Sequence, residues 1–413
     1  MKQTKSYTIP KRLIYEAYKR VKANKGGAGV DGQSMKDFEQ NLENNLYKLW
    51  NRLSSGSYFP QAVKRVEIPK SDGGIRPLGI PTISDRIAQM VVKIEIEPEL
   101  EKHFHPDSYG YRPLKSAHHA VAKVKERCWQ RGWVLDMDIK GFFDAINHDL
   151  LMRAVEKHVK ETWQLLYIRR WLEAPVQYTI GELEQRTQGT PQGGVISPLL
   201  ANLFLHYAFD QWIEAHWTGI QFERYADDII CHCKTEQEAI ALKSFLVERF
   251  TECGLQLHPE KTKIVYCKSW KYKQAHEQIS FDFLGFTFKP KKVKNKDGRM
   301  MLSFQPGISQ KSAKRIRAEI NSWPWNYWLQ GDTKSIVAHA RNKIRGWMVY
   351  YGRFCRWEVI DVLNHFDKRL SRWAERKYKK LKTIKQAVKR VRGARKASPW
   401  LFAHWSRVGY KVG

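Results

Sequence analysis

Carboxylates are scarce in this chain: 42 Asp+Glu stand against 72 Lys+Arg over 413 residues, a formal charge of +30. A compact chain with that excess repels itself unless a polyanion neutralises it, which makes a phosphate backbone the expected partner. A membrane surface or an acidic protein is the other way of meeting the same charge. Cysteine is sparse too. Its six residues (Cys128, Cys231, Cys233, Cys253, Cys267, Cys355) include no C-x-x-C pair, so neither a zinc ribbon nor a disulfide framework is indicated, and a reduced, intracellular setting is expected. Long apolar runs are missing: no window approaches the roughly 18 residues of a membrane span, and the N-terminus has no signal-like core. Internal repeats and extended low-complexity stretches are absent. What remains is 42% hydrophobic and 13% aromatic residues, enough for two or three packed lobes.

Residues 9–24 carry Leu13, Ile14, Ala17, Tyr18 and Val21 at helical spacing, and the helix is expected to stop at the glycine run 26–32. That run lacks a preceding strand and a closing G-K-[ST], so it is read as a loop and not as a phosphate cradle. From Val63 to Ile80 the pattern alternates as in strands around a turn rich in Asp and Gly (Ser71-Asp72-Gly73-Gly74), which predicts a hairpin flanked by Lys70 and Arg76. Residues 84–101 read as helix. Short strands are expected at 133–139, 221–225, 229–233 and 263–267, with helices between them. The mixture implies an α+β fold with a largely antiparallel sheet. After about residue 305 strand signals give way to helices dense in Lys, Arg and Trp, with residues 289–298 marking the change. Residues 291–413 hold 31 Lys+Arg against 7 Asp+Glu, so most of the positive excess sits there.

The most informative string is Tyr225-Ala226-Asp227-Asp228, two carboxylates in a tight turn between two short apolar segments. Adjacent aspartates repel each other, and a divalent cation relieves that cost. A second acidic segment, Asp136-Met137-Asp138-Ile139-Lys140-Gly141-Phe142-Phe143-Asp144, supplies a partner. Phosphoryl transfer by two Mg²⁺ ions roughly 4 Å apart needs carboxylates from different strands, and Asp138 fits that requirement.

In this order the motifs resemble those of group II intron-encoded reverse transcriptases. The likeness runs from Ile68-Pro69-Lys70 and Ile75-Arg76-Pro77-Leu78-Gly79 through Tyr109-Gly110-Tyr111-Arg112-Pro113 and the Asp138 segment. It continues through residues 189–202 (Gly-Thr-Pro-Gln-Gly-Gly-Val-Ile-Ser-Pro-Leu-Leu-Ala-Asn) and Tyr225-Ala226-Asp227-Asp228 to Gly254-Leu255-Gln256-Leu257, Glu260-Lys261-Thr262 and Phe283-Leu284-Gly285-Phe286. The resemblance implies a right-hand polymerase: fingers and palm over residues 1–305 (an extension to 62, mostly fingers to 130, mostly palm to 305), then a helical thumb and maturase region over 306–413. It implies Asp138, Asp227 and Asp228 as catalytic carboxylates and these with Ile139 as metal positions for two Mg²⁺ ions, with Mn²⁺ as a substitute. Lys70, Arg76, Phe143, Gln192 and Ala226 become nucleotide-binding positions, Phe143 as the bulky gate against a ribose 2′-hydroxyl. Lys311, Lys314, Arg315, Arg341, Lys343 and Arg345 become RNA-binding positions.

Group II intron RNA, a DNA target and primer, and deoxynucleoside triphosphates are the partners so implied, in bacterial cytoplasm with no membrane association. The chain stops short of the endonuclease module of many relatives, so target-strand nicking is not expected, and priming from a nascent strand at a replication fork or from an existing 3′ end is. Aromatics interleaved with cations in the C-terminal helices suit stacking on unpaired bases, while about half of them are expected to form helical core. A splicing cofactor with a vestigial polymerase, or a relative recruited to DNA repair or phage defence, stays open on the sequence.

Overall fold

β-Branched and aromatic residues place the strands, and the hydrophobic period switches from two to 3.6 at each helix. The computed structural model describes residues 6–69, 74–178, 181–295, 297–331 and 333–406. Its strands are β1 (Val63–Pro69), β2 (Ile75–Ile80), β3 (Trp133–Met137), β4 (Val176–Gln177), β5 (Leu183–Glu184), β6 (Gln221–Tyr225), β7 (Asp228–Cys233), β8 (Lys263–Tyr266), β9 (Phe281–Phe283), β10 (Phe286–Lys294) and β11 (Met300–Ile308). They form sheets in the orders β2-β1-β4-β5, β6-β7-β3-β8 and β11-β10-β9, with long helices between them. The chain divides into two units, residues 1–124 with 133–264 and residues 125–132 with 265–413.

In the first unit the expected hairpin is β1 antiparallel to β2, from Lys64 opposite Ile80 to Pro69 opposite Ile75. Its turn, with Lys70, lies outside the described residues. The expected helix spans Ile83–Glu101, capped by Thr82, whose side chain accepts from the Asp85 N–H. The glycine run is a loop, and the Arg86 guanidinium donates to the Gly27 carbonyl. The second sheet is the core. Leu135, Val134, Ile229, Ile230, Cys231 and Cys233 are fully buried, and so are Ala239, Leu242, Leu246 and Phe250 on the helix Glu236–Glu252. A helix starting at Ser197 passes into a π-helical turn, His206–Asp210, which sets Phe209 edge-on to Phe222 with ring centres 4.9 Å apart. One strand is shorter than the sequence suggests. β3 ends at Met137, not Ile139, because the backbone of residues 138–140 turns to pair with Gln256, Leu257 and His258.

The second unit begins with a sheet that the sequence reading did not resolve. Residues 289–298, read as a boundary, form most of β10 and its turn. Asn295 closes that turn by accepting at Oδ1 from the Arg299 N–H at 2.7 Å. Lysines at positions 289, 291, 292 and 294 hide the strand: those at 289, 292 and 294 have solvated heads on pleated stems, while Lys291 turns its ammonium to Glu358 and the Pro306 carbonyl. Phe281 and Phe288 stack at 4.9 Å beneath the buried Phe304. The helix Gln310–Ser322 follows. One long helix, Thr333–Lys377, comes next, interrupted where Cys355 leaves helical geometry (φ −141°, ψ 51°). Trp323, Trp325, Trp328 and Trp373 are buried, whereas Tyr327 and Trp357 are exposed, so the aromatics divide between core and surface. Asp367 accepts from Trp405 Nε1 (2.8 Å) and His404 Nε2 (3.0 Å), which ties residues 402–406 to the long helix.

Candidate active site

Tyr225 pairs with Asp228 across β6 and β7, which leaves Ala226 and Asp227 as a two-residue loop. Ala226 sits at φ +58°, a left-handed conformation that costs a residue with a Cβ about 1–2 kcal/mol. The surroundings hold it there. The loop containing Tyr109-Gly110-Tyr111 runs beside β6: Arg224 N–H donates to Asp107 O at 3.0 Å, and Tyr109 N–H donates to Arg224 O at 2.7 Å. Gly110 then lies so close that any Cβ would meet the Ala226 nitrogen, which explains a glycine at that place in the motif. Asn202 donates from Nδ2 to the Gly110 carbonyl at 2.7 Å and accepts from Arg224 Nη1 at 2.9 Å; the same Nη1 reaches the Ala226 carbonyl at 3.3 Å. Burial alone would raise the Asp210 carboxyl, but the Arg224 charge and its hydrogen bonds outweigh that and hold it below the usual carboxylate range.

Asp138 reaches the same place from the neighbouring strand. Met137 is the last β3 residue paired with β7, opposite Ile229, so Asp138 and Asp228 are the next residues along the chain beyond that pair, on adjoining strand ends. The backbone around it is fixed by His258 N–H donating to Asp138 O and Lys140 N–H donating to Gln256 O, both at 2.8 Å, and by the Ile139–Leu257 bridge. Asp138 and Asp227 are half-buried and Asp228 is exposed. Lys261 Nζ sits 3.2 Å from Asp138 Oδ2. Among the described residues no three His, Cys, Asp or Glu side chains already converge on one point. The donors are nonetheless all hard oxygens on adjoining strand ends, the set that Mg²⁺ or Mn²⁺ prefers, and Lys261 supplies positive charge beside one of them.

Residues 189–194 join this centre to the β1–β2 hairpin. Thr190 N–H donates to Phe143 O at 2.7 Å, and at Gly189 (φ +80°) a Cβ would stand 2.8 Å from Asp144 O. At the other end Gly79 N–H donates to Gln192 O at 2.9 Å. Gln192 and Asp144 line a cavity of about 450 Å³ together with Arg65, Tyr178 and Arg186. Phe143 is half-buried, its ring 5.5 Å from that of Phe142 and tilted edge-on. Arg76 stands in β2 opposite Ile68, but its side chain, like Lys70, lies outside what is described.

The six cations assigned to RNA lie in the second unit. Lys311, Lys314 and Arg315 are exposed on the helix Gln310–Ser322; Arg341, Lys343 and Arg345 are exposed on the long helix. Lys343 is engaged within the protein, 2.5 Å from Glu319, and Arg315 donates to the Tyr351 hydroxyl at 3.2 Å. Arg341 and Arg345 line a cleft of about 830 Å³ with Lys334. Sequence reasoning gave no role to Asn202, Asp210, Arg224 or Lys261. The one available signal was an arginine directly before Tyr225-Ala226-Asp227-Asp228, in a strand that reads Gln-Phe-Glu-Arg-Tyr.

Residues 68–288 match the family described as reverse transcriptase (RNA-dependent DNA polymerase), and residues 313–393 match the group II intron, maturase-specific domain. Protein YkfC of Escherichia coli (strain K12) is 30% identical over 366 residues, which cover 77% of this chain and 90% of that one. Group II intron-encoded protein LtrA of Lactococcus lactis subsp. cremoris is 35% identical over 208 residues, 48% of this chain but only 33% of LtrA. Among solved structures, telomerase from Candida albicans aligns over 89% of this chain and 69% of its own with a TM-score of 0.47 at 11% identity.

Proposed function

Because the chain belongs to the reverse transcriptase family, as an RNA-directed DNA polymerase that also carries a group II intron maturase-specific domain, we propose that it copies its group II intron RNA into DNA and assists that RNA in splicing. The observation that supports the polymerase site is the β3–β7 pairing up to Met137 opposite Ile229, which leaves Asp138 and Asp228 on adjoining strand ends near the Ala226-Asp227 turn, inside the matched residues 68–288. Asp138, Asp227 and Asp228, with the Ile139 carbonyl, are the groups proposed to hold the divalent ions. When bound, Mg²⁺ supplies activation of a primer 3′-hydroxyl and neutralises charge at the leaving pyrophosphate.

The protein's own share is positioning. Lys70 and Arg76 on the β1–β2 hairpin grip the triphosphate, a task suited to a point charge and a bidentate guanidinium. Gln192 and Ala226 border the nucleotide, and Phe143 closes the space that a ribose 2′-hydroxyl needs. Residues 306–413 hold intron RNA through exposed cations, among them Lys311, Lys314, Arg341 and Arg345. A splicing cofactor without polymerase activity is not favoured, since all three carboxylates stand. Among the described residues no helix is long and apolar enough to cross a membrane.

Primer extension on poly(rA)/oligo(dT) with Mg²⁺ tests the reading directly. The wild-type chain should extend the primer, Asp138→Asn, Asp227→Asn and Asp228→Asn should each reduce extension by at least about a thousandfold, and RNA binding should persist in all three. Extension that survives the three replacements would remove these carboxylates from the chemistry.

A further inference from the structure

Three arginines on the long helix, Arg369, Arg372 and Arg376, follow one another at spacings of three and four residues and therefore share a face. With Trp325, Trp373 and Ile384 they line a concave site of about 590 Å³. A run of cations on a helix is ordinarily a solvated surface, and two features set this one apart. First, no ion pair neutralises any of the three among the described residues: Arg376 donates only to Asn326 Oδ1 at 3.2 Å, and Glu375 on the rim stays beyond ion-pair distance. Second, two donors are buried without an acceptor, Arg369 Nε and Trp373 Nε1, the latter on a side chain only 4% exposed.

The chemistry of the lining defines what fits. Guanidinium groups at the rim suit an anion that presents two oxygens at once, as a phosphate does. Trp325 and Trp373, 6% and 4% exposed, floor the site, and the half-buried Arg369 lies over the Trp325 ring at 5.5 Å, where its guanidinium plane suits a flat aromatic body. The positive field is concentrated here: burial first, then Arg317, Arg369, Lys368 and Arg372, hold the nearby His365 below its ordinary pKa. A nucleotide unit offers both halves, and an unpaired strand can turn its base into a concave site where a duplex cannot.

We infer that this cleft holds one nucleotide of single-stranded RNA, its phosphates on Arg372 and Arg376 and its base over Arg369, above the floor formed by Trp325 and Trp373. The inference rests on the proposed intron-RNA function and names a contact point for it that is separate from the polymerase centre and from the six cations assigned above.

The test uses the full chain, a fluorescein-labelled twelve-nucleotide oligo(U) and its DNA counterpart, read by anisotropy over a salt series. Arg372→Ala with Arg376→Ala should weaken RNA binding about tenfold or more and flatten the salt dependence by roughly 1 to 1.5 in log–log slope, the share of two single-strand phosphates. Lys36→Ala with Lys48→Ala, which removes equal charge from an exposed part of the first unit, should change binding less than about twofold. A 4-thiouridine oligomer should crosslink to peptides containing Trp325 or Trp373, and the arginine pair should abolish that crosslink. Equal loss in the lysine pair, crosslinks only elsewhere, or equal affinity for the DNA oligomer would overturn the assignment. Because Arg372 and Arg376 are exposed, thermal unfolding should not move, which separates lost binding from lost fold. Wild-type primer extension run alongside reports on the proposed function by itself: activity with unaltered RNA binding in the arginine pair sinks only the cleft.

Discussion

Arg224 donates to Asp210 twice, from Nε to Oδ1 at 2.8 Å and from Nη2 to Oδ2 at 2.6 Å, with both side chains wholly shielded from water. Asp210 is the last residue of the π-helical turn, so the extra residue of that turn sets where the carboxylate points. The remaining Nη1 of Arg224 serves Asn202 and the Ala226 carbonyl. A buried pair of this kind contributes little net stability against an apolar replacement. What it provides is a fixed frame against which a strained two-residue turn is held.

Replacing Asn202 with Ala leaves the Gly110 carbonyl and Arg224 Nη1 without their partner, and the Ala226 turn is then free to leave φ +58°. Single-turnover primer extension should slow by roughly 10–100-fold, the scale of an ångström-level misplacement at a reacting centre. Adding Ala226→Gly, which removes the cost of the left-handed conformation, should restore part of the rate. A rate that tracks only the folded fraction, measured by thermal unfolding in the same samples, would reduce Asn202 to a packing role.

The legible and the hidden parts of this molecule differ in kind. The β1–β2 hairpin, the helix after it and the strands flanking Asp227 could be read because alternation and turn chemistry act within a few residues. A meeting of Asp138 with Asp227 and Asp228 is what the resemblance implies; the β3–β7 pairing that leaves their strand ends side by side emerges only once strands more than ninety positions apart pair. Asn202 and Asp210 stayed silent for the same reason: each looks like an ordinary polar residue in an apolar helix until Arg224 arrives beside it. Strand β10 was masked by its own lysines, whose charge reads as a linker while their stems cover a sheet.

Acid should reveal the Asp210 pair. The carboxyl lies below its unfolded value of about 3.9, so its contribution to stability is fully present above that pH and is lost as pH falls through the lower folded value. Asp210→Asn should therefore cost about 3–5 kcal/mol at pH 7 and pH 5 alike, because Arg224 is left buried without a counter-charge. Below about pH 4 the gap between variant and wild type should narrow. Urea unfolding at pH 7, 5 and 3 measures it, and a gap that widens in acid contradicts the assignment of the charge.

Lys261 and a divalent cation compete for Asp138. At 3.2 Å in a low-dielectric interior the ion pair would be strong, but the Lys261 side chain is 56% exposed, which brings the expected value to about 0–1 kcal/mol. Lys261→Gln should accordingly lower the Mg²⁺ concentration for half-maximal primer extension by about two- to fivefold. A Mg²⁺ titration of wild type and variant decides it; an unchanged or raised requirement would show that the lysine does not oppose the metal.

Phe143 stands where backbone and side chain can be separated experimentally. Its carbonyl is pinned by the Thr190 N–H at 2.7 Å, so replacing the ring should leave the main chain in place. The ring is half-buried and rests edge-on against Phe142, so Phe143→Val forfeits only part of a buried aromatic, about 1–2 kcal/mol, and the protein should stay folded. If the ring closes the space beside the sugar, the smaller side chain opens room for a 2′-hydroxyl. The ratio of kcat/KM for dATP over ATP on a poly(rU)/oligo(dA) template should then fall by at least about tenfold, mainly because ATP improves. Phe143→Tyr keeps the ring and should keep the ratio. A Val variant that loses activity on dATP while ATP stays excluded would assign the ring to packing beneath the 189–194 loop and leave sugar selection to another residue.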